Sequence, residues 1–171
     1  MRKVSAHYYL KSDGTFGKSP VVELDVDGRI VGVREMGHQF KEEPGLEYFP
    51  GIIVPGFVAS CYSTDAKVIA DVKRLGLING VLRWQEGEDI IALDDYQRAW
   101  SAIKEILKEQ RGMAPLGHYL LKHTFRAAQL LGNTEWGIIG EGAIPGLIVL
   151  QNIDLRNFSI TEKSSFRIIQ K

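Results

Sequence analysis

The sequence predicts an α+β protein, strand-rich at both chain ends with a helical and mixed segment between them. Two observations predict it. Residues 2–55 and 136–169 show period-two alternation broken by turn residues, whereas residues 64–76, 94–109 and 115–131 place apolar side chains at helical spacing. A chain of 171 residues makes one ordinary domain or two small ones and can bury a substantial core.

Composition narrows the function classes. With 44% hydrophobic and 25% charged residues the chain reads as a soluble globular domain. Lys+Arg and Asp+Glu both number 21, so no general electrostatic pull is expected toward nucleic acid or anionic lipid, and neither is counted as a partner. Arg2 and Lys3 lead into Val4-Ser5-Ala6-His7 and not into an apolar run, so no signal peptide is expected. No stretch reaches the roughly 18 apolar residues of a spanning helix. Cys61 is the single cysteine, which excludes an intrachain disulfide and suits a reducing, cytoplasmic location.

Taken in order, Val4, Ala6 and Tyr8 alternate with Lys3, Ser5 and His7 as in a half-buried strand, with His7 on the polar side. Residues 11–19 are loop by composition. Val22, Leu24 and Val26 alternate with Glu23, Asp25 and Asp27, and Asp27-Gly28 before Arg29-Ile30-Val31 predicts a tight hairpin with a solvated acidic face. Residues 34–45 are irregular and Leu46–Phe49 resume a strand, which gives four or five antiparallel strands in the first 55 residues. A small sheet with one apolar face needs a covering surface. Residues 51–58, GIIVPGFV, read as a buried strand interrupted at Pro-Gly.

A helix is expected over 64–76, capped by Thr64 or Asp65 and stopped at Gly76. Strands over 80–84 and 90–93 and a helix from Asp94 to about Glu109 follow. Pro115 suits the first turn of a helix running to Leu131 and closed by Gly132-Asn133. His123 lies on its apolar stripe, and His118 sits about 140° away on a regular helix, so the two do not chelate one ion. From Trp136 the period returns to strand: Gly137–Ile139, a Gly140-Glu141-Gly142 hairpin turn without phosphate-loop spacing, then Leu147–Leu150 and Ser165–Ile169.

The segment GIIVPGFV, preceded by a strand and a Gly-rich hairpin, resembles the stretch of metal-dependent amidohydrolases, deaminase-like branch, that leads from a small β-sandwich into a metal-binding TIM barrel. That family continues with Asn-Ala-His-x-His or Asp-x-His-x-His, whose histidines bind metal. Here residues 59–63 read Ala-Ser-Cys-Tyr-Ser, so Cys61 and Ser63 occupy the ligand positions. Residues 115–132 look like the family's last barrel helix, with Thr124, Ala128, Leu131 and Gly132 matching, Arg126 in place of its Asn and Ala127 in place of its Gly. Residues 137–150 look like its return into the sandwich through Gly137, Ile139, Gly142, Leu147, Val149 and Leu150, with Pro145-Gly146 in place of Ala-Asp.

The resemblance implies a composite β-sandwich from residues 1–58 plus 136–171, with residues 59–135 as a small α/β insert, the remnant of a truncated barrel. A complete barrel takes about 250 residues. Family chemistry needs several His and Asp ligands to hold a metal that acidifies water, and the histidines here form no H-x-H pair. The expected function is therefore an amidohydrolase-like protein without the family metal site, a non-catalytic pseudoenzyme with a binding or assembly role; a name by homology would be a hydrolase of C–N bonds other than peptide bonds. No metal and no cofactor is expected, and the expected partner is a second copy of the chain. An alternative is an enzyme with Cys61 as nucleophile beside a helix N-terminus and His118 or His123 as base. Another is a small-molecule binder with Tyr62 and Trp84 as stacking groups at the former barrel entrance.

Overall fold

A computed structural model describes residues 1–37, 43–57, 115–130 and 132–170. The helices expected over 64–76 and 94–109 and the strands over 80–84 and 90–93 lie outside these residues. Among the described residues seven strands are found: β1 (Arg2–Leu10), β2 (Phe16–Lys18), β3 (Pro20–Leu24), β4 (Ile30–Glu35), β5 (Leu46–Pro55), β6 (Leu147–Gln151) and β7 (Ser165–Gln170). Two short helices, α1 (Leu116–Lys122) and α2 (Phe125–Leu130), precede β6. The strands join in one mixed sheet of order β4-β3-β1-β5-β6-β7, with β2 also paired to β1.

The centre of the sheet is where the two chain ends meet. β5 and β6 are antiparallel, with Ile52 opposite Leu150 and Val54 opposite Ile148. Ile52, Ile53, Val54 and Leu147 to Leu150 are fully buried, so both faces are covered, as the unbroken apolar runs require. Each such side chain contributes on the order of 2 kcal/mol by leaving water. One face carries Leu10, Ile52, Val54, Ile148 and Leu150 against Leu116, Leu120 and Leu121 of α1. The other carries Val4, Ala6, Val22, Leu24, Ile53, Leu147, Val149 and Ile169. On that second face an Arg2 guanidinium nitrogen of β1 donates to the Ile169 carbonyl of β7, and the Ile30 amide of β4 donates to the Ala143 carbonyl of the loop before β6 at 2.8 Å.

Several elements differ from the sequence reading. Loop 11–19 contains β2, which pairs Tyr8–Leu10 with Phe16–Lys18 across a short hairpin. β1 and β5 are parallel, not antiparallel, because the chain re-enters the sheet at Leu46 opposite Lys3, at the end where β1 begins. The expected alternation of β1 inverts at His7. A register irregularity between Ala6 and Tyr8 sends Val4 and Ala6 to one face but Tyr8 and Leu10 to the other, as a bulge does. The Asp27-Gly28 hairpin forms, yet its loop spans residues 25–29 because the Asp25 carboxylate accepts the amides of Asp27 and Arg29 at 2.9 Å. Val26 is consequently outside the strand and 90% exposed.

The single helix expected over 115–131 is two helices. His123 and Thr124 amides bond to the carbonyls three residues back, Leu120 and Leu121, and the Thr124 hydroxyl takes the Leu120 carbonyl at 2.8 Å, so the regular ladder stops there. α2 ends as expected: the Gly132 amide bonds to Gln129 and the Asn133 amide to Ala128, with Gly132 at φ 68°, a Schellman termination. Residues 137–139 are not a strand. Gly137 has φ 75° and lies against the Thr124 backbone, where a Cβ would come within 2.6 Å of the Thr124 carbonyl. The 140–143 turn forms, but its far side pairs with Ile30 and not with a neighbouring strand.

Candidate functional site

A concavity of about 520 Å³ lies where the β1–β2 hairpin meets the two helices. Asp13 to Phe16 form one wall; Pro115, Leu116, His118 and Leu121 of the α1 region form the second; Arg126 of α2 and Asn157-Phe158 close it. The walls are locked together. Gly117 packs so closely on the Gly14 carbonyl that a Cβ would overlap its oxygen, so any larger residue at position 117 separates the hairpin from the helix.

The floor of this hairpin cleft is apolar and aromatic. Leu116 and Leu121 are buried, and the Phe16 and Phe158 rings stack at 4.4 Å with 20° between planes. Tyr8 meets Phe158 edge-on at 4.9 Å. Phe158 holds φ 51°, a left-handed conformation that costs a bulky residue about 1–2 kcal/mol. The tight loop around it sustains this: Asp154 and Ser159 exchange two backbone bonds of 2.9 and 3.1 Å, and the Asp154 carboxylate accepts the Arg156 amide at 3.0 Å.

Polar groups sit on the rim. The Asp13 carboxylate accepts the Thr15 hydroxyl at 2.7 Å and the Thr15 amide at 2.8 Å, and those bonds hold it below the usual carboxylate range. His118 and Arg126 are exposed, and neither side chain makes a hydrogen bond or ion pair among the described residues.

A second feature centres on the bulge. His7 Nδ1 accepts the Gly51 amide at 3.0 Å, which places the ring proton of the neutral imidazole on Nε2. Gly51, at φ 135°, lies so near the Leu150 carbonyl that a Cβ there would collide with its oxygen. His7 also meets Tyr48 edge-on at 5.5 Å, and two smaller clefts of about 270 and 290 Å³ flank it.

Of the residues singled out from sequence, Cys61, Tyr62, Ser63 and Trp84 lie outside the described residues. His118 lines the hairpin cleft. His123 closes α1 and is partly buried; desolvation, aided by the neighbouring Lys122 charge, lowers its pKa. The structure thus separates their settings, one on the cleft rim and one at the helix junction. Arg126 is the cleft residue that sequence reasoning passed over. Its only signal was that a cation replaces the Asn of the family helix it resembles. Tyr119 of α1 is 6% exposed and belongs to the chain's own core.

No group of three or more His, Cys, Asp or Glu able to hold a metal occurs among the described residues.

No family model matches the chain, and no curated protein matches it. Among solved structures it is similar to a candidate prolidase from Bifidobacterium longum, with 14% identity and a TM-score of 0.36 over 63% of this chain and 38% of that one. It is also similar to an amidohydrolase from Brucella melitensis, with 14% identity and a TM-score of 0.31 over 84% of this chain and 26% of that one. The chain therefore spans well under half the length of both proteins, and at this level the likenesses carry no inference about activity. Among the described residues no helix is long and apolar enough to cross a membrane.

Proposed function

We propose that the chain is an amidohydrolase-like scaffold that has lost the family metal site and acts by binding, not by hydrolysis. The observation that carries this reading is the β5–β6 pairing. The strand that leads toward position 59 and the strand that returns after position 135 are direct neighbours at the centre of one sheet. The pairing supports reading residues 1–58 and 136–171 as one composite domain, with residues 59–135 as an inserted remnant. At the entrance to that insert stand Cys61 and Ser63 where metal chemistry needs imidazoles. The partner under this reading is a second copy of the chain, with a location in the cytoplasm.

A thermal-shift screen with nucleosides, cyclic ureas, small carboxylates and divalent metals tests the proposal. Stabilisation by an organic molecule with no response to metals is expected, since a ligand that binds only the folded state raises the melting temperature. Stabilisation by zinc, manganese or nickel at micromolar concentration contradicts it.

A further inference from the structure

We propose that the hairpin cleft binds a small aromatic carboxylate, with Arg126 as the anion contact and the Phe16–Phe158 pair as the stacking surface. The inference rests on the reading of the chain as a binding protein and supplies the ligand class that reading lacks. Three independent features converge. The cleft, about 520 Å³, is of the size and mostly apolar character of small-molecule sites. Its aromatic surface is held in place at a conformational cost, with Phe158 in the left-handed region and stacked on Phe16; strain of this kind is retained where the surroundings impose it. Its rim carries Arg126 with no counter-charge bonded to it among the described residues.

Charge decides the class of anion. Among the described residues Arg126 is the one permanent cation lining the cleft, and Asp13, held in its ionised form by Thr15, lines it as well. A dianion such as a phosphate monoester would meet that carboxylate, whereas a monoanionic carboxylate matches the planar guanidinium fork in geometry and in charge. His118, on the same rim, adds an imidazole within the cleft lining. A ring attached to the carboxylate then rests on Phe158 and against Leu116 and Leu121.

Phenylacetate, titrated against the full chain and followed by amide chemical shifts, tests this. The expected dissociation constant is in the low millimolar range for a ligand of ten heavy atoms. Shifts are expected at Gly14, Thr15, His118 and Phe158, and phenylacetamide, uncharged and of the same shape, should bind about tenfold more weakly. Arg126→Gln should lose about the same factor with an unchanged melting temperature, because the side chain is exposed. Arg126→Lys should recover part of it. Equal binding of phenylacetate and phenylacetamide, full binding by Arg126→Gln, or shifts confined to residues outside the cleft overturn the assignment. These outcomes are independent of metal response: a metal-binding protein whose cleft still takes phenylacetate refutes the non-catalytic reading alone, and a metal-free protein that ignores phenylacetate refutes the cleft alone.

Discussion

His7 and Gly51 meet where β1 changes face, and each fixes what the other is allowed to be. Pro50 offers no amide, Gly51 is pressed on the Leu150 carbonyl, and the Gly51 amide finds its acceptor in an imidazole in place of a strand carbonyl. His7→Phe keeps the ring against Tyr48 but removes the acceptor, and a loss of about 1 kcal/mol in urea unfolding is expected. Gly51→Ala is expected to lose about 3 kcal/mol or more, because it adds both backbone strain and a collision with backbone. The alternation of Val4, Ala6 and Tyr8 gave the strand but not this bulge, since a bulge is set by the partner strand and leaves no mark in local alternation. His123 gives a pH prediction. Burial disfavours its charged form in the folded protein, so the unfolded chain binds the proton more tightly, and stability is full above the ordinary imidazole range and falls as pH drops through it. The melting temperature should decline between about pH 7.5 and 5.5, before carboxylates titrate, and His123→Gln should flatten part of that decline.

Among elements, those with strong period and explicit stop signals were legible and those shaped by contact were not. β3, β4 and β7 followed from alternation, and the end of α2 followed from Gly132-Asn133, because their causes are local. The helix break at His123-Thr124 goes with the Thr124 hydroxyl bond to the Leu120 carbonyl, whereas the loss of the 137–139 strand goes with a nonlocal contact, the Gly137 backbone lying against Thr124. Gly137→Ala should therefore destabilise by about 2–3 kcal/mol through strain and overlap, whereas Thr124→Val, which leaves the volume but removes the hydroxyl bond to Leu120, should cost about 1 kcal/mol. Negligible effects of both in chemical denaturation would contradict these two assignments. The candidate site was legible only in part. His118 was visible as a titratable residue, but its partnership with Arg126, Phe16 and Phe158 depends on a hairpin that approaches the helices from more than a hundred residues away.

At the scale of the molecule, strands from the two ends of the sequence form one sheet and bury their apolar faces together, so neither end supplies a stable core alone. Amides of Ile53 and Val149, paired across β5 and β6, should exchange with solvent only through the same opening as Val4 and Val22 on β1 and β3. A β6–β7 unit that exchanges faster than β1–β5 would contradict a shared core. The functional reading depends on a different property, the absence of an imidazole pair at the exit of β5, where Cys61 and Ser63 stand. The most direct test is elemental analysis of the purified chain, expressed in medium supplemented with zinc, manganese, iron and nickel. The account predicts substoichiometric content of every transition metal after gel filtration, and one equivalent of any of them, lost in a Cys61→Ala variant, would contradict it.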